Sequence, residues 1–318
     1  VRARRLVAGL AGGVLAVLAG CAGAGAGAGA DGVSERPTIA VSTNILGDVV
    51  QQVVGDQVDV LVLMPPGSDP HSFEVSAQRA AELRDAELIV SNGLGLEEGV
   101  QHHLDAAAAD GVPQFVAGDH VQVIAYTDDE MSGPDPHLWT DPQQVLRVVD
   151  ALEPVVAGLA DVDAGALRSS ADAYRQELRT LDAELEQQFV GIPADRRALV
   201  TNHNVFGYLA QRYDFTVVGT VLPGGSTLAA PSASDFDDLV TAMETAGVDV
   251  VFADATQPER LVQVLADEVG LDVTIVSLFT ESLTAATDVA AESAPGGDAA
   301  TYLAMMRSNA DRITSALR

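Results

Sequence analysis

Residues 164–190 read AGALRSSADAYRQELRTLDAELEQQFV. Leu167, Tyr174, Leu178, Leu181, Leu185 and Phe189 recur at intervals of three, four or seven, which lays one apolar stripe along a helix. At 1.5 Å per residue such a helix spans about 40 Å, long enough to run across two lobes.

On both sides of it, short apolar runs alternate with helical patterns. Before it, strands are expected at 38–42, 58–64, 88–91, 114–116 and 121–125, with helices at 47–54, 77–84, 97–109 and 142–159. After it, strands are expected at 198–201, 216–221, 248–253 and 273–277, with helices at 205–213, 232–246, 259–269 and 299–317. This alternation is the pattern of βαβ units and mostly parallel sheets. The expected fold is α/β: two lobes, each a mostly parallel sheet flanked by helices, joined by one long backbone helix with a cleft between them. The expected boundaries are 37–160 for the first lobe, 161–192 for the connecting helix and 193–318 for the second lobe. There is no strict internal repeat.

The chain opens VRARRLVAGLAGGVLAVLAG, with Arg2, Arg4 and Arg5 ahead of an uncharged run from Leu6 to Gly20. That is the layout of a signal peptide, and the run is short for a membrane span, which needs about 20 apolar residues. Small residues then precede Cys21, the one cysteine of the chain, in a segment that resembles a bacterial lipobox. The resemblance implies a signal peptide over 1–20, a lipidated Cys21 and an extracytoplasmic protein held at the outer face of the cytoplasmic membrane. Residues 21–36 are rich in Gly and Ala and read as a flexible tether. A lone cysteine excludes an internal disulfide and any multi-thiolate metal site.

The 17 basic residues are all arginine, against 46 acidic ones, for a formal charge of −29. Loss of the three leading arginines takes this to −32. Such a chain repels nucleic acid and anionic lipid surfaces.

Chemistry concentrates at three of the six histidines. His71 lies in PPGSDPHSFEVS, a turn-rich segment after an expected strand; His137 lies in GPDPHLWTDP; His203 lies in LVTNHNVFGYLA, between a strand and a helix. Loops at strand carboxyl ends are where open α/β sheets bind ligands, and neutral imidazole suits zinc and other borderline ions. His102 and His103 are adjacent on an expected helix, about 100° apart, so they cannot both face one site. His120 stands apart from these settings. Gly93, Gly95 and Gly99 in NGLGLEEG imitate a dinucleotide fingerprint, but the last glycine is one position late and two acids precede it.

The segments PGSDPHSFE, PHLWTDP and TNHNVFGYLA, in that order, resemble the three histidine-bearing motifs of the zinc and manganese solute-binding proteins of ABC importers. The resemblance spans nearly the whole chain after the tether, from STNILGDVVQQVVGD to GGDAATYLAMMRSNADRI. It implies a metal site in the interlobe cleft, with His71 and His137 from the first lobe and His203 from the second. The family's fourth ligand is a carboxylate, usually the aspartate of a segment like FTDS; here SLFTESLT puts Glu281 at that place, and Asp254 in VFADAT competes for it. Three imidazoles and a carboxylate suit tetrahedral zinc. Manganese-binding members tend to carry glutamate in place of the third histidine, so His203 favours zinc.

The resemblance further implies zinc as transported ligand and an importer permease as partner; a monomer is expected, and the long connecting helix should resist wide hinge opening and allow only a modest closing motion. Manganese or iron receptors of the same type and a surface adhesin are the alternatives. Many zinc-specific members carry a histidine-rich loop, whereas this chain has Asp128, Asp129 and Glu130 there, read as a solvated turn. A closed set of four protein ligands, with no H-E-x-x-H helix, favours binding over catalysis, because a zinc hydrolase keeps a position open for water. Affinity is expected to fall on acidification through about pH 6–7, where histidine ordinarily titrates.

Overall fold

A computed structural model describes residues 36–126, 133–228, 230–256, 273–285 and 299–318. The signal-like segment, Cys21, the acidic run 128–130 and the expected helix at 259–269 lie outside them. The first sheet consists of β1 (Thr38–Val41), β2 (Asp59–Val62), β3 (Leu88–Ser91) and β4 (Gln114–Val116), all parallel in the order β2-β1-β3-β4. The second consists of β5 (Ala198–Thr201), β6 (Thr216–Thr220), β7 (Val250–Asp254) and β8 (Thr274–Leu278), again parallel, in the order β6-β5-β7-β8.

The described helices are α1 (Asn44–Val54), α2 (Ala77–Glu82), α3 (Gln101–Ala109), α4 (Pro142–Val156), α5 (Ala164–Val190), α6 (Gly207–Tyr213), α7 (Ala233–Ala246) and α8 (Tyr302–Leu317). Their starts follow from local chemistry. Thr43, Ser76, Asp141, Asp163, Ser232 and Thr301 each accept a hydrogen bond from a first-turn amide. Pro142 opens α4 at a position where its missing N–H costs nothing.

Side chains alternate across each strand and both faces are covered, which is why the strands read as unbroken apolar runs. Ala40 and Ile89 face one cluster with Leu83 and Leu104, while Val200, Val251 and Ala253 face another with Leu239 and Met243 of α7. The opposite faces, with Ile39, Val41 and Val90 in one sheet and Leu199 and Phe252 in the other, enter a single large core. That core also takes the α5 stripe of Leu167, Tyr174, Leu178, Leu181, Leu185 and Phe189.

One polar residue interrupts the stripe. Asp182 accepts from Gln143 Nε2 at 2.6 Å, from Arg212 at 2.7 and 3.0 Å, and from the Tyr213 hydroxyl at 2.9 Å. Burial opposes its ionisation, but these hydrogen bonds and the Arg212 charge hold its carboxyl below the usual carboxylate range. It thereby ties α4, α5 and α6 together.

The expected strand at 121–125 does not form. Its amides are taken by side chains instead of a ladder: Gln122 N donates to Gln144 Oε1 at 2.9 Å, and Ile124 N to the Tyr208 hydroxyl at 3.4 Å. A single bridge from Ala125 to Pro134 is all the pairing this run makes among the described residues. The expected helix at 97–109 begins only at Gln101, because residues 93–100 wind around the buried Glu97.

Candidate metal centre

Each of the four candidate side chains hangs on a turn that the sheets position. His71 follows β2 in a loop turned by Gly67, whose φ of +77° a side chain would resist. Asp69 Oδ1 accepts from His71 N at 2.9 Å and fixes the loop's last turn. His137 precedes α4. Its loop is held by Asn92, whose Nδ2 donates to Pro136 O at 2.9 Å. The glycine run of NGLGLEEG serves this support: Glu97 accepts from Asn92 N, Gly93 N and Ser42 Oγ at 2.6, 3.0 and 2.7 Å. The turn's own carboxyl group occupies the amides that a phosphate would need.

His203 leaves the carboxyl end of β5. Glu281 stands on the turn after β8, and that turn is gripped from several directions. Asn309 of α8 pairs with both backbone groups of Phe279, at 2.9 and 2.7 Å. Ser282 Oγ receives hydrogen bonds from Asn44 Nδ2 and Gly67 N of the first lobe, at 2.7 and 2.8 Å. Leu283 N donates to Asn44 Oδ1 at 2.9 Å. Asp254, the competing carboxylate, instead accepts from the backbone N–H and hydroxyl of both Thr256 and Thr280. It braces the Glu281 turn and is not one of the converging donors.

The structure brings His71, His137, His203 and Glu281 together, with one donor atom of each within 4.8 Å of all the others. His71 Nε2 lies 3.3 Å from His137 Nε2, and Glu281 Oε1 lies 3.0 Å from His203 Nε2 and 3.5 Å from His137 Nε2. Glu281 Oε2 is 3.9 Å from His71 Nε2. Donors held about 2.0–2.2 Å from one tetrahedral ion stand about 3.3–3.6 Å apart, so this spacing fits a single small cation. No donor side chain is more than 2% exposed. His102 is exposed and His103 half-buried, with their rings against each other, and His120 stacks on Phe115; none of these joins the cluster.

Burial sets the electrostatics. It pushes the His71 imidazole down to about 2, helped by the neighbouring His137 and His203, and it lowers His203 as well. It pushes the Glu281 carboxyl up to about 8, against the pull of His137 and with Asp254, Asp69 and Asp135 adding repulsion. The ring hydrogens follow from the outer partners. His137 Nδ1 faces Asp135 Oδ1 at 2.8 Å and His203 Nδ1 faces Asn202 Oδ1 at 3.2 Å. Both partners are acceptors, so each Nδ1 carries the hydrogen and each Nε2 turns a lone pair inward. Asp135 and Asn202 went unread in the sequence. Each stands one or two residues before its histidine, and that adjacency was the available signal.

A neutral, buried group of three imidazoles and one carboxyl is a poor place for an anion or an organic molecule and a good one for a dication, which would ionise Glu281 as it binds. Comparison with known proteins agrees with that chemistry. The family described as zinc-uptake complex component A, periplasmic, matches residues 39–316. The zinc-binding protein TroA of Treponema pallidum is 29% identical over 282 residues, 89% of either chain. The manganese-binding lipoprotein MntA of Halalkalibacterium halodurans is 26% identical over 301 residues, covering 95% of this chain and 94% of that one. The solved structure of the periplasmic TroA of T. pallidum matches with a TM-score of 0.80 at 28% identity, over 89% of this chain and 99% of that one.

Proposed function

The chain belongs to the zinc-uptake component A family of periplasmic metal-binding receptors that serve ABC importers, and from that membership we propose that it captures Zn²⁺ through His71, His137, His203 and Glu281. It is a binding protein and not an enzyme. The observation that carries the zinc reading is the buried cluster of three imidazoles and one carboxyl. Imidazole-rich, tetrahedral surroundings suit zinc, whereas manganese prefers harder, oxygen-rich shells. The importer permease is the partner that would receive the ion, and lipidation at Cys21 would keep the receptor beside it as a monomer.

A manganese receptor is the second reading. Its support is that a relative named as a manganese-binding lipoprotein is similar over nearly the whole chain. Metal analysis of the purified protein, followed by competitive titration with Zn²⁺ and Mn²⁺, separates the two. Zinc should displace manganese and not the reverse, and His203→Ala should weaken zinc by about a hundredfold or more, the scale of losing one of four ligand bonds. Equal zinc affinity in His203→Ala would reject the ligand assignment, and preferential manganese retention would reject zinc as cargo.

A further inference from the structure

We propose that Asp135 is a positioning residue for metal capture, and that α6 of the opposite lobe sets where it stands. The inference rests on the reading of the four-residue cluster as a metal site.

Asp135 is 1% exposed, and its Oδ1 accepts twice from His137, from the backbone N at 2.9 Å and from ring Nδ1 at 2.8 Å. The paired contacts lock both the loop and the ring. With Nδ1–H committed to a carboxylate, Nε2 faces the ion site as a lone pair, which is how outer partners orient ligating histidines. His71 has no such device: its Nδ1 is buried without a hydrogen-bond partner among the described residues.

Asp135 belongs to the loop of the first lobe, but it is seated on the second. The Tyr208 hydroxyl of α6 donates to Asp135 O at 3.1 Å. Gly207, the first residue of α6, leaves the space that the Asp135 side chain fills. A Cβ at 207 would lie 2.3 Å from Asp135 Oδ2 and 3.1 Å from Ile124 Cδ1. His203 sits four residues before Gly207 on the same segment. One stretch of the second lobe therefore carries its own candidate ligand and also holds the partner of His137. A shift of α6 displaces both.

The test uses the full chain and Co²⁺ as a spectroscopic probe, with Zn²⁺ affinity read by competition against a chromophoric chelator and metal-free thermal unfolding measured alongside. Asp135→Ala and Gly207→Ala should each weaken zinc by about 10–100-fold, the usual effect of losing an outer partner of a metal-binding histidine. Both should alter the cobalt d–d bands, while Asp135→Asn, which keeps an acceptor at the same place, should restore much of the parent spectrum. Gly207→Ala presses chiefly on the end of the Asp135 side chain, with a lesser contact to Ile124, and decides the matter if Asp135→Ala does not fold. Parent-like affinity and spectrum in Gly207→Ala would overturn the proposal. So would weakened binding with an unchanged cobalt spectrum and a matching drop in metal-free stability, which is the mark of a purely structural role. A parent protein that takes up neither ion would overturn the metal-receptor reading itself.

Discussion

Glu281 Oε1 lies 3.0 Å from His203 Nε2, and the surroundings of both groups assign the hydrogen between them to the carboxyl group. His203 commits its ring hydrogen to Asn202 on the other side, so Nε2 can only accept. Burial, which pushes Glu281 up to about 8, leads to the same state. The metal-free site thus stores one exchangeable proton where the ion will sit.

Zinc binding at pH 7 should therefore release about one proton, because the carboxyl is protonated below about 8 and must ionise to coordinate. Affinity should rise with pH up to about 8 and level off above it. His71, held down to about 2, contributes nothing to this slope. The active window thus lies above the histidine range expected from sequence. Calorimetry in buffers of different ionisation enthalpy measures the proton directly. Glu281→Gln should abolish it, and a buffer-independent heat in the parent would contradict the assignment.

Replacing the two carboxylates should have separable effects. Glu281→Ala should remove most zinc affinity with a folded protein left behind. Asp254→Ala should cost about 1–3 kcal/mol of stability, the scale for stranding buried donors, because Thr256 and Thr280 lose their shared acceptor. Thermal unfolding and zinc titration of both variants check this. The reverse pattern would make Asp254 the fourth ligand.

Trp139 is the one tryptophan of the chain. Its indole N–H donates to Thr280 O at 2.8 Å, beside Glu281, and its ring centroid lies 5.4 Å from that of His137. Intrinsic fluorescence should change on zinc addition and saturate at one equivalent. A flat titration in a protein that retains zinc by metal analysis would show that filling the site leaves this contact undisturbed.

Asn44 crosses between lobes to hold Ser282 and Leu283, the two residues that follow Glu281 on its turn. Asn44→Ala should loosen the Glu281 turn and speed zinc dissociation by about tenfold, the loss of about 1–1.5 kcal/mol from these bonds. Stopped-flow release into excess chelator reads the rate. An unchanged off-rate would mean that the remaining clamps suffice.

Much of this was legible in the residues. The α5 stripe was readable because a single solvent-shielded face repeats with helical period, and its six positions are all buried, together with Ala171 and Asp182. The parallel sheets were readable because strands covered on both faces cannot alternate in polarity. The three histidines and Glu281 were legible only as motif segments; their convergence depends on two sheets docking, which no local spacing encodes. The strand misread at 121–125 has the same root. Its apolar content is real, but Gln144 and Tyr208, distant in sequence, supply the partners that a neighbouring strand would have offered. Asp254 was ambiguous because a strand-end carboxylate looks the same in sequence whether it faces an ion or two threonine hydroxyls.

The shared core between the sheets bears on what happens after loading. With both inner sheet faces and α5 packed into one apolar body, and with every donor no more than 2% exposed, a captured ion would meet little water and would exchange slowly. Displacement of one ion by another would then be slow and would run through release of the first. A wrong ion admitted once, such as copper, whose affinity for nitrogen donors exceeds that of zinc, would occupy the receptor as a stopper.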